Sequence, residues 1–331
     1  MKERVIYIDQ LKGVAMLLVV MGHVLGFDFF SWETLQGTFL NNLITSIQMP
    51  LFFFLSGLVV KRKEITLPLL QIVGCQLRRA WSLLVPMVVV GIVYVTWRGF
   101  SVTDFFFHPM KYGYWYLLTL FEFYVIYMLF FEIVRFKKAY MDVGLFLLSF
   151  VLFKLLMHLP ISNNVIDMLQ LNQLVQYWPF FFLGFFLNQR NYITYLFTKN
   201  LIYTLSLLVY ISLFAWNYYY GIGNLVLYIY QLAGVLVLSF LFWKMKERKA
   251  KVLQHLAYIG RNTLDIYIFH YFFIHAAYMN CIGIYLVDYP NIILELMLTG
   301  GYALIITYAS IGVGKVIRSS NFLSMVLFNK K

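Results

Sequence analysis

Apolar residues run in stretches close to the length of one membrane-spanning helix, about 20 residues, and short polar clusters separate them along the whole chain. Read at that length, the pattern predicts ten helices, over residues 6–26, 39–60, 80–97, 113–134, 140–158, 173–188, 200–217, 224–243, 262–280 and 292–315. The expected fold class is all-α, a polytopic helix bundle whose solvent is the lipid bilayer, with residues 1–331 forming a single transmembrane domain and no appended soluble domain. The longest outside connection, near residues 98–112, holds roughly fifteen residues, too few to form a domain. Residues 64–79, EITLPLLQIVGCQLRR, combine an apolar face with a basic end and are expected to lie along the cytoplasmic interface before the third span enters the bilayer. Pro50 and Pro179 fall inside the second and sixth spans, where a missing amide hydrogen kinks the helix and frees a carbonyl.

Composition agrees with this reading and removes other classes. The chain is 62% hydrophobic and 12% charged, with a mean hydropathy of +0.77, against about 25% charged in an ordinary soluble domain. A soluble globular enzyme is excluded. Lys and Arg number 26 against 14 Asp and Glu, for a net charge of +12. In a soluble protein that excess would suggest nucleic acid, but here it alternates with the connections. One set of connections carries Lys2 and Arg4, Lys61 to Lys63, Arg135 to Lys138, Arg190 and Lys199, the cluster from Lys244 to Arg261, and Lys315 to Lys331, while the other set has only Arg98 and Lys111. Positive charge is retained on the cytoplasmic side of membranes, so both termini are predicted to be cytoplasmic and no nucleic-acid partner is expected. The start, MKERVIYIDQ, is basic and then apolar with no small-residue cleavage site after it, the pattern of a retained first span. Cys75 and Cys281 are too far apart in sequence to suggest a disulfide framework or a thiolate cluster, and no metal is expected.

An ionisable group within a membrane helix is costly and marks a functional position. The first helix, YIDQLKGVAMLLVVMGHV, has three: Asp9, Lys12 and His23. At 100° per residue, Lys12 and His23 are only about 20° apart after three turns, Asp9 is about 40° from His23, and the rise from Lys12 to His23 is roughly 16 Å. A cation at the inner mouth with an imidazole three turns above it suits a long donor that has an anionic head and a reactive far end, which is the shape of an acyl-CoA. Its phosphates would pair with Lys12, Arg78 and Arg79, and its thioester would reach His23, the side chain best suited to general-base work near neutral pH. The plainer alternative has His23 bonding a neighbouring helix or snorkelling to the outer interface. Glu122, about 15 Å along the fourth helix, is a candidate for orienting a base or lining the acceptor path, beside a purely structural role. Trp115 and Tyr116 fall where interfacial aromatic belts are expected in any case, with stacking on a sugar or a nucleotide as the functional alternative. Tyr267 and His270, one turn apart on the ninth helix, could line the donor channel. Ser56 in FLSG lacks the strand-to-helix elbow of a nucleophilic serine and reads as helix packing. Asp265 suits the dipole of its helix start, His275 reads as packing, and His108, His158 and His255 read as solvated.

Four stretches together, YIDQLKGVAMLLVVMGH, MPLFFFLSGLVV, YWYLL at Tyr114–Leu118 and IGRNTLDIYIFH at Ile259–His270, resemble the acyltransferase-3 family of integral-membrane O-acyltransferases. Within it the chain is most similar to bacterial acetyltransferases that modify sugars and surface polysaccharides. The resemblance covers nearly the whole chain. It implies a ten-span enzyme of the bacterial cytoplasmic membrane that uses acetyl-CoA as donor and a glycan hydroxyl as acceptor. It places Lys12 and His23 at the family's basic residue and essential His and His270 at a recurring His, while Asp9, on the stripe of Lys12 and His23, is expected on the donor side with Tyr267 from its place along the helix. Lys12 lacks the planar fork of the usual Arg. Arg78 begins a pattern in which relatives carry a second Arg at the fourth place, here Trp81, and Gln48, on the acceptor side, stands where close relatives often have His. Some members carry a soluble esterase-like domain; none is expected here, so the chain would modify its acceptor itself or hand the acyl group to another protein. A flippase that moves a lipid-linked saccharide without bond chemistry is the competing class, opposed by the absence of inverted repeats and of paired carboxylates for ion coupling. An inactive relative serving as a scaffold is a third.

Overall fold

The structure, a computed structural model, describes residues 5–30, 34–35, 38–60, 68–132, 138–274 and 280–328. All its regular elements are helical, and the described residues contain no strand. In chain order they are α1 (Ile6–Val24), which passes into a π-helical turn Leu25–Phe29, α2 (Phe39–Leu58), α3 (Leu69–Trp97), α4 (Val102–Phe107), a 3-10 turn Lys111–Gly113, and α5 (Trp115–Tyr127) with a second π-helical turn Met128–Glu132. There follow α6 (Ala139–Leu156), α7 (Asn163–Met168), α8 (Leu171–Gln189), α9 (Tyr192–Thr198), α10 (Asn200–Tyr220) and α11 (Asn224–Lys244). The last are α12 (Lys251–Arg261), α13 (Thr263–Phe269), a 3-10 turn His270–Phe272, α14 (Asn280–Asp288), α15 (Ile292–Ser319) and α16 (Asn321–Phe328).

Among the described residues, seven helices are long and apolar enough to cross a membrane: α1 with its π-helical turn, α2, α3, α6, α10, α11 and α15. The other three expected spans have a different form. The fourth is α5 and its π-helical turn, an apolar helix of shorter length. The sixth is α8, 19 residues in which Asn172, Gln173, Gln176 and Asn188 dilute the apolar run. The ninth is not one helix: α13 has seven residues and tightens into the 3-10 turn at His270. Apolar run length does not register such a change of winding, because composition is the same in both.

The stretch 69–79 does not form a separate interfacial element. It is the start of α3, which is continuous for 29 residues through Pro86, about 43 Å of helix against a hydrocarbon core of about 30 Å. Residues 64–67 lie outside the described residues, as do Lys2, Arg4, Lys61, Arg62, Lys63, Arg135, Lys137, His275, Lys330 and Lys331.

The chain folds as two compact units whose sequences interleave, Met1–Leu55 with Tyr192–Gly314, and Ser56–Asn191 with Lys315–Lys331. In the first unit α1 lies against α12, and glycines let the two backbones meet. A Cβ on Gly13 would stand 2.0 Å from the Leu256 carbonyl oxygen, and one on Gly260 would stand 1.7 Å from that of Asp9. Close approach of this kind needs the smallest residue. The α10–α11 hairpin turns at Gly221, whose φ of +70° is open to glycine at little cost.

The second unit is centred on aromatic rings: Phe123, Phe131, Trp178, Phe181 and Phe185 are all buried, and the Trp178 indole N–H donates to Ser149 Oγ at 3.0 Å. Beside the start of α6, Asp142 accepts from Arg190 at the end of α8, the Nε bond being 3.0 Å. Beyond the other end of α6, Lys111 is almost wholly buried and its ammonium donates to the Phe106 carbonyl at 2.6 Å and the Asp167 carbonyl at 2.9 Å. These bonds hold a strained turn, since Lys111 and Tyr112 both have left-handed backbones, with φ of 46° and 50°. Burial pulls the Lys111 ammonium down to about 8, against the charges of Asp167 and Glu122, which raise it. Trp81 donates its indole N–H to the Val326 carbonyl at 3.0 Å and so anchors α16 on α3.

Candidate active site

His23 lies in the last turn of α1, just before the helix widens into its π-helical turn. Such turns occur often at functional sites because they re-aim side chains at the end of an otherwise regular helix. The His23 imidazole is held among three rings. Phe27 is 5.6 Å away and His270 is 5.3 Å away, both stacked, and Tyr271 is 4.9 Å away at a tilt of 49°. One hydrogen bond orients it, between Nε2 and the Tyr271 hydroxyl at 2.8 Å. Its other nitrogen, Nδ1, makes no hydrogen bond among the described residues.

The environment of the second imidazole sets its tautomer. His270 Nδ1 is 2.9 Å from the Ile266 carbonyl oxygen, which can only accept, so Nδ1 carries the hydrogen and Nε2 presents a lone pair. That Nε2 is buried and has no partner among the described residues. The same holds for the side-chain oxygen of Gln48, which would lie 3.2 Å from a Cβ on Gly22, the residue before His23. Tyr267 is buried, its ring 6.1 Å from that of His270. The first unit therefore gathers His23, His270, Tyr267 and Gln48. Asp9 and Lys12 belong to the start of the same continuous α1, Asp9 buried and Lys12 half-buried. The helical register that aligns Lys12 with His23 is thus intact.

Arg78, Arg79, Trp115 and Glu122 belong to the second unit. Arg78 is exposed, with Nη2 3.2 Å from the Cys75 sulfur, while the Arg79 guanidinium lies over the Tyr124 ring at 4.5 Å. Trp115 is buried and stacked on Tyr177 at 5.6 Å. Glu122 is half-buried, and its Oε2 has no hydrogen-bond partner among the described residues. Ser56 bonds the Tyr116 hydroxyl at 3.0 Å, and a Cβ on Gly57 would stand 1.9 Å from the Phe181 carbonyl oxygen, which is the geometry of helix packing. His108 is half-buried, and His255 is exposed as expected. Nδ1 of His108 accepts from the Met110 amide at 3.2 Å, and Nδ1 of His255 is 3.1 Å from the Tyr308 hydroxyl. His158 is exposed. Asp265 is buried against α15, where a Cβ on Gly314 would come within 2.6 Å of its carboxylate.

Two features of the site lie outside the ten apolar runs or are indistinct within them. One is α12, signalled only by Leu253, Leu256 and Ala257 recurring at helical spacing between Lys251, Gln254, His255 and Arg261. The other is Tyr271, which in sequence is one aromatic residue in the run HYFF. An imidazole with one nitrogen bonded to a phenol and the other without a partner can act as a base, a nucleophile or a hydrogen-bond acceptor.

The sequence profile of a family described as an acyltransferase domain matches residues 5–313 of the chain. No curated protein and no solved structure matches it.

Proposed function

This chain belongs to the acyltransferase-3 family of membrane acyltransferases, and on that premise we propose that it transfers an acetyl group from cytoplasmic acetyl-CoA to a sugar hydroxyl of a cell-surface polysaccharide or its lipid-linked precursor, within one transmembrane domain of a bacterial cytoplasmic membrane. The observation that carries the proposal is the His23 imidazole, oriented through Nε2 by Tyr271 and without a hydrogen-bond partner on Nδ1 among the described residues, on the same helical stripe as Lys12.

In the proposed reaction Lys12 holds a phosphate of the donor, and the pantetheine arm rises along α1 toward His23, roughly 16 Å away by helical rise. His23 takes the proton of the acceptor hydroxyl as its oxygen attacks the thioester carbonyl. The carbon–oxygen bond forms, the carbon–sulfur bond breaks, and the leaving thiolate takes the proton back from the imidazolium. Gln48 Oε1 and His270 Nε2, both buried acceptors without partners among the described residues, suit the hydroxyl and amide hydrogens of acceptor and donor. Arg78 and Arg79 are proposed as donor ligands on residue type alone, Arg78 being the more exposed of the two. The acetyl group and the saccharide rest on the sequence stretches shared with sugar-modifying members of the family.

The test is release of coenzyme A from acetyl-CoA by the purified protein in lipid nanodiscs with a lipid-linked glycan extract. Glycan-stimulated release is expected, and His23→Ala should lower it about 10²- to 10⁴-fold, the usual contribution of a general base, with donor binding retained. Lys12→Gln should raise the donor KM with a smaller effect on kcat. Glycan-stimulated release that survives His23→Ala would overturn the assignment of the base.

A further inference from the structure

A base needs a lone pair free for the substrate proton, and an imidazole has one only on the nitrogen that carries no hydrogen. We propose that Tyr271 is the positioning residue that fixes the tautomer of His23: its hydroxyl oxygen accepts from Nε2–H, which leaves the lone pair on Nδ1 to receive the proton. The inference rests on the acyltransferase reading of His23 and adds the residue that makes that imidazole competent.

The geometry is specific. Tyr271 Oη is 2.8 Å from His23 Nε2. Tyr271 is 3% exposed and sits in the 3-10 turn His270–Phe272, so its ring has no room to rotate away. Its ring packs on His270 at 4.0 Å and on His23 at 4.9 Å. His270 cannot take the same role, because its only hydrogen is committed to the Ile266 carbonyl and its Nε2 presents a lone pair. Its ring instead stacks on that of His23, 5.3 Å away. The reverse polarity, with the phenol donating to Nε2, would occupy the lone pair and turn the other nitrogen into a donor, which cannot accept a proton.

The bond also changes during turnover. When His23 takes the acceptor proton on Nδ1 it becomes an imidazolium, and its Nε2–H to Tyr271 Oη becomes a charge-assisted hydrogen bond, stronger than the neutral one of the resting state. Tyr271 then stabilises the state in which the proton has moved more than the state before it. That difference appears in kcat, and a residue that only packs would not produce it.

Tyr271→Phe keeps the ring and removes the one atom that bonds His23. With wild-type protein that transfers acetyl groups, the expected result is a kcat lower by roughly ten- to a hundredfold, the worth of a hydrogen bond to a charged group, while both KM values stay within about twofold. Tyr271→Ala should lose both the bond and the packing and should also lower thermal stability, which Tyr271→Phe should leave near wild type. A second measurement is independent of activity. In protein labelled with 15N-histidine in liposomes, the His23 signal, assigned among the six histidines by its loss in His23→Asn, should show a protonated Nε2 and an unprotonated Nδ1, and Tyr271→Phe should let the other tautomer appear. An active Tyr271→Phe protein with kcat unchanged, or a wild-type His23 protonated at Nδ1, would overturn the proposal. If wild-type protein releases no coenzyme A, the acyltransferase reading fails by itself, and the nitrogen spectra still decide whether Tyr271 sets the tautomer.

Discussion

Lys111 shows at the scale of one residue how a charge can be buried where a sequence reading places it in water. As one of two cations in its set of connections it marks only the outer side of the membrane, yet its ammonium lies 2% exposed between two backbone carbonyls. Its native proton is lost near pH 8, whereas an unfolded lysine keeps its proton to about 10.4. Between those values the unfolded chain binds more protons than the native one, so stability rises with pH across that window. Melting temperatures measured from pH 8 to pH 10 should therefore climb in the wild type relative to Lys111→Gln, and parallel curves would show that Lys111 does not contribute the slope. At the same scale the pairing of Lys12 with His23 was legible, because both lie on one uninterrupted helix and angle follows from residue count. Tyr271 was not, because its partner is 248 residues away and no local periodicity relates the two.

At the scale of elements, close backbone approach matters more than helix length. Gly260 and Gly144 are both helical glycines, but a Cβ on Gly260 would stand 1.7 Å from the Asp9 carbonyl oxygen, whereas one on Gly144 would meet nothing within 4 Å. Gly260→Ala must push α12 from α1 and should cost about 1–3 kcal/mol of stability as overpacking, while Gly144→Ala should be neutral or stabilising by up to about 1 kcal/mol through helix propensity. Thermal unfolding of the two variants in one detergent checks this, and equal effects would count against the packing argument. The departure at Trp81 also finds its reason here. Where relatives carry a second Arg, this chain places an indole that donates to the Val326 carbonyl and holds α16, so the position serves the fold of the second unit. The interruption of the ninth span has a comparable consequence, since the 3-10 turn sets His270 and Tyr271 beside His23.

For the whole molecule the expected orientation is testable within each unit. Asp142 and Arg190 meet at one end of the second unit, and Lys111 bonds the Asp167 carbonyl beyond the other end of α6. In a chain with Cys75→Ser and Cys281→Ser, a cysteine placed at Lys249 should react with an impermeant maleimide only from the cytoplasmic side, and one at Ser101 only from outside. The opposite result would invert the topology and with it the depth of His23.

Sequence alone determined the class of the molecule, the approximate number and place of its apolar segments, its family, and the stripe that joins Lys12 to His23. Each of these depends on composition or on spacing along one helix, and both are properties of contiguous residues. Tertiary structure decided where helices are broken or wound differently, which glycines are meeting points of backbones, that Lys111 is buried, and that Tyr271 and His270 enclose His23. Those outcomes depend on which distant surfaces fit together, and a helix presents the same apolar side chains to lipid and to protein. Only the packed fold distinguishes the two.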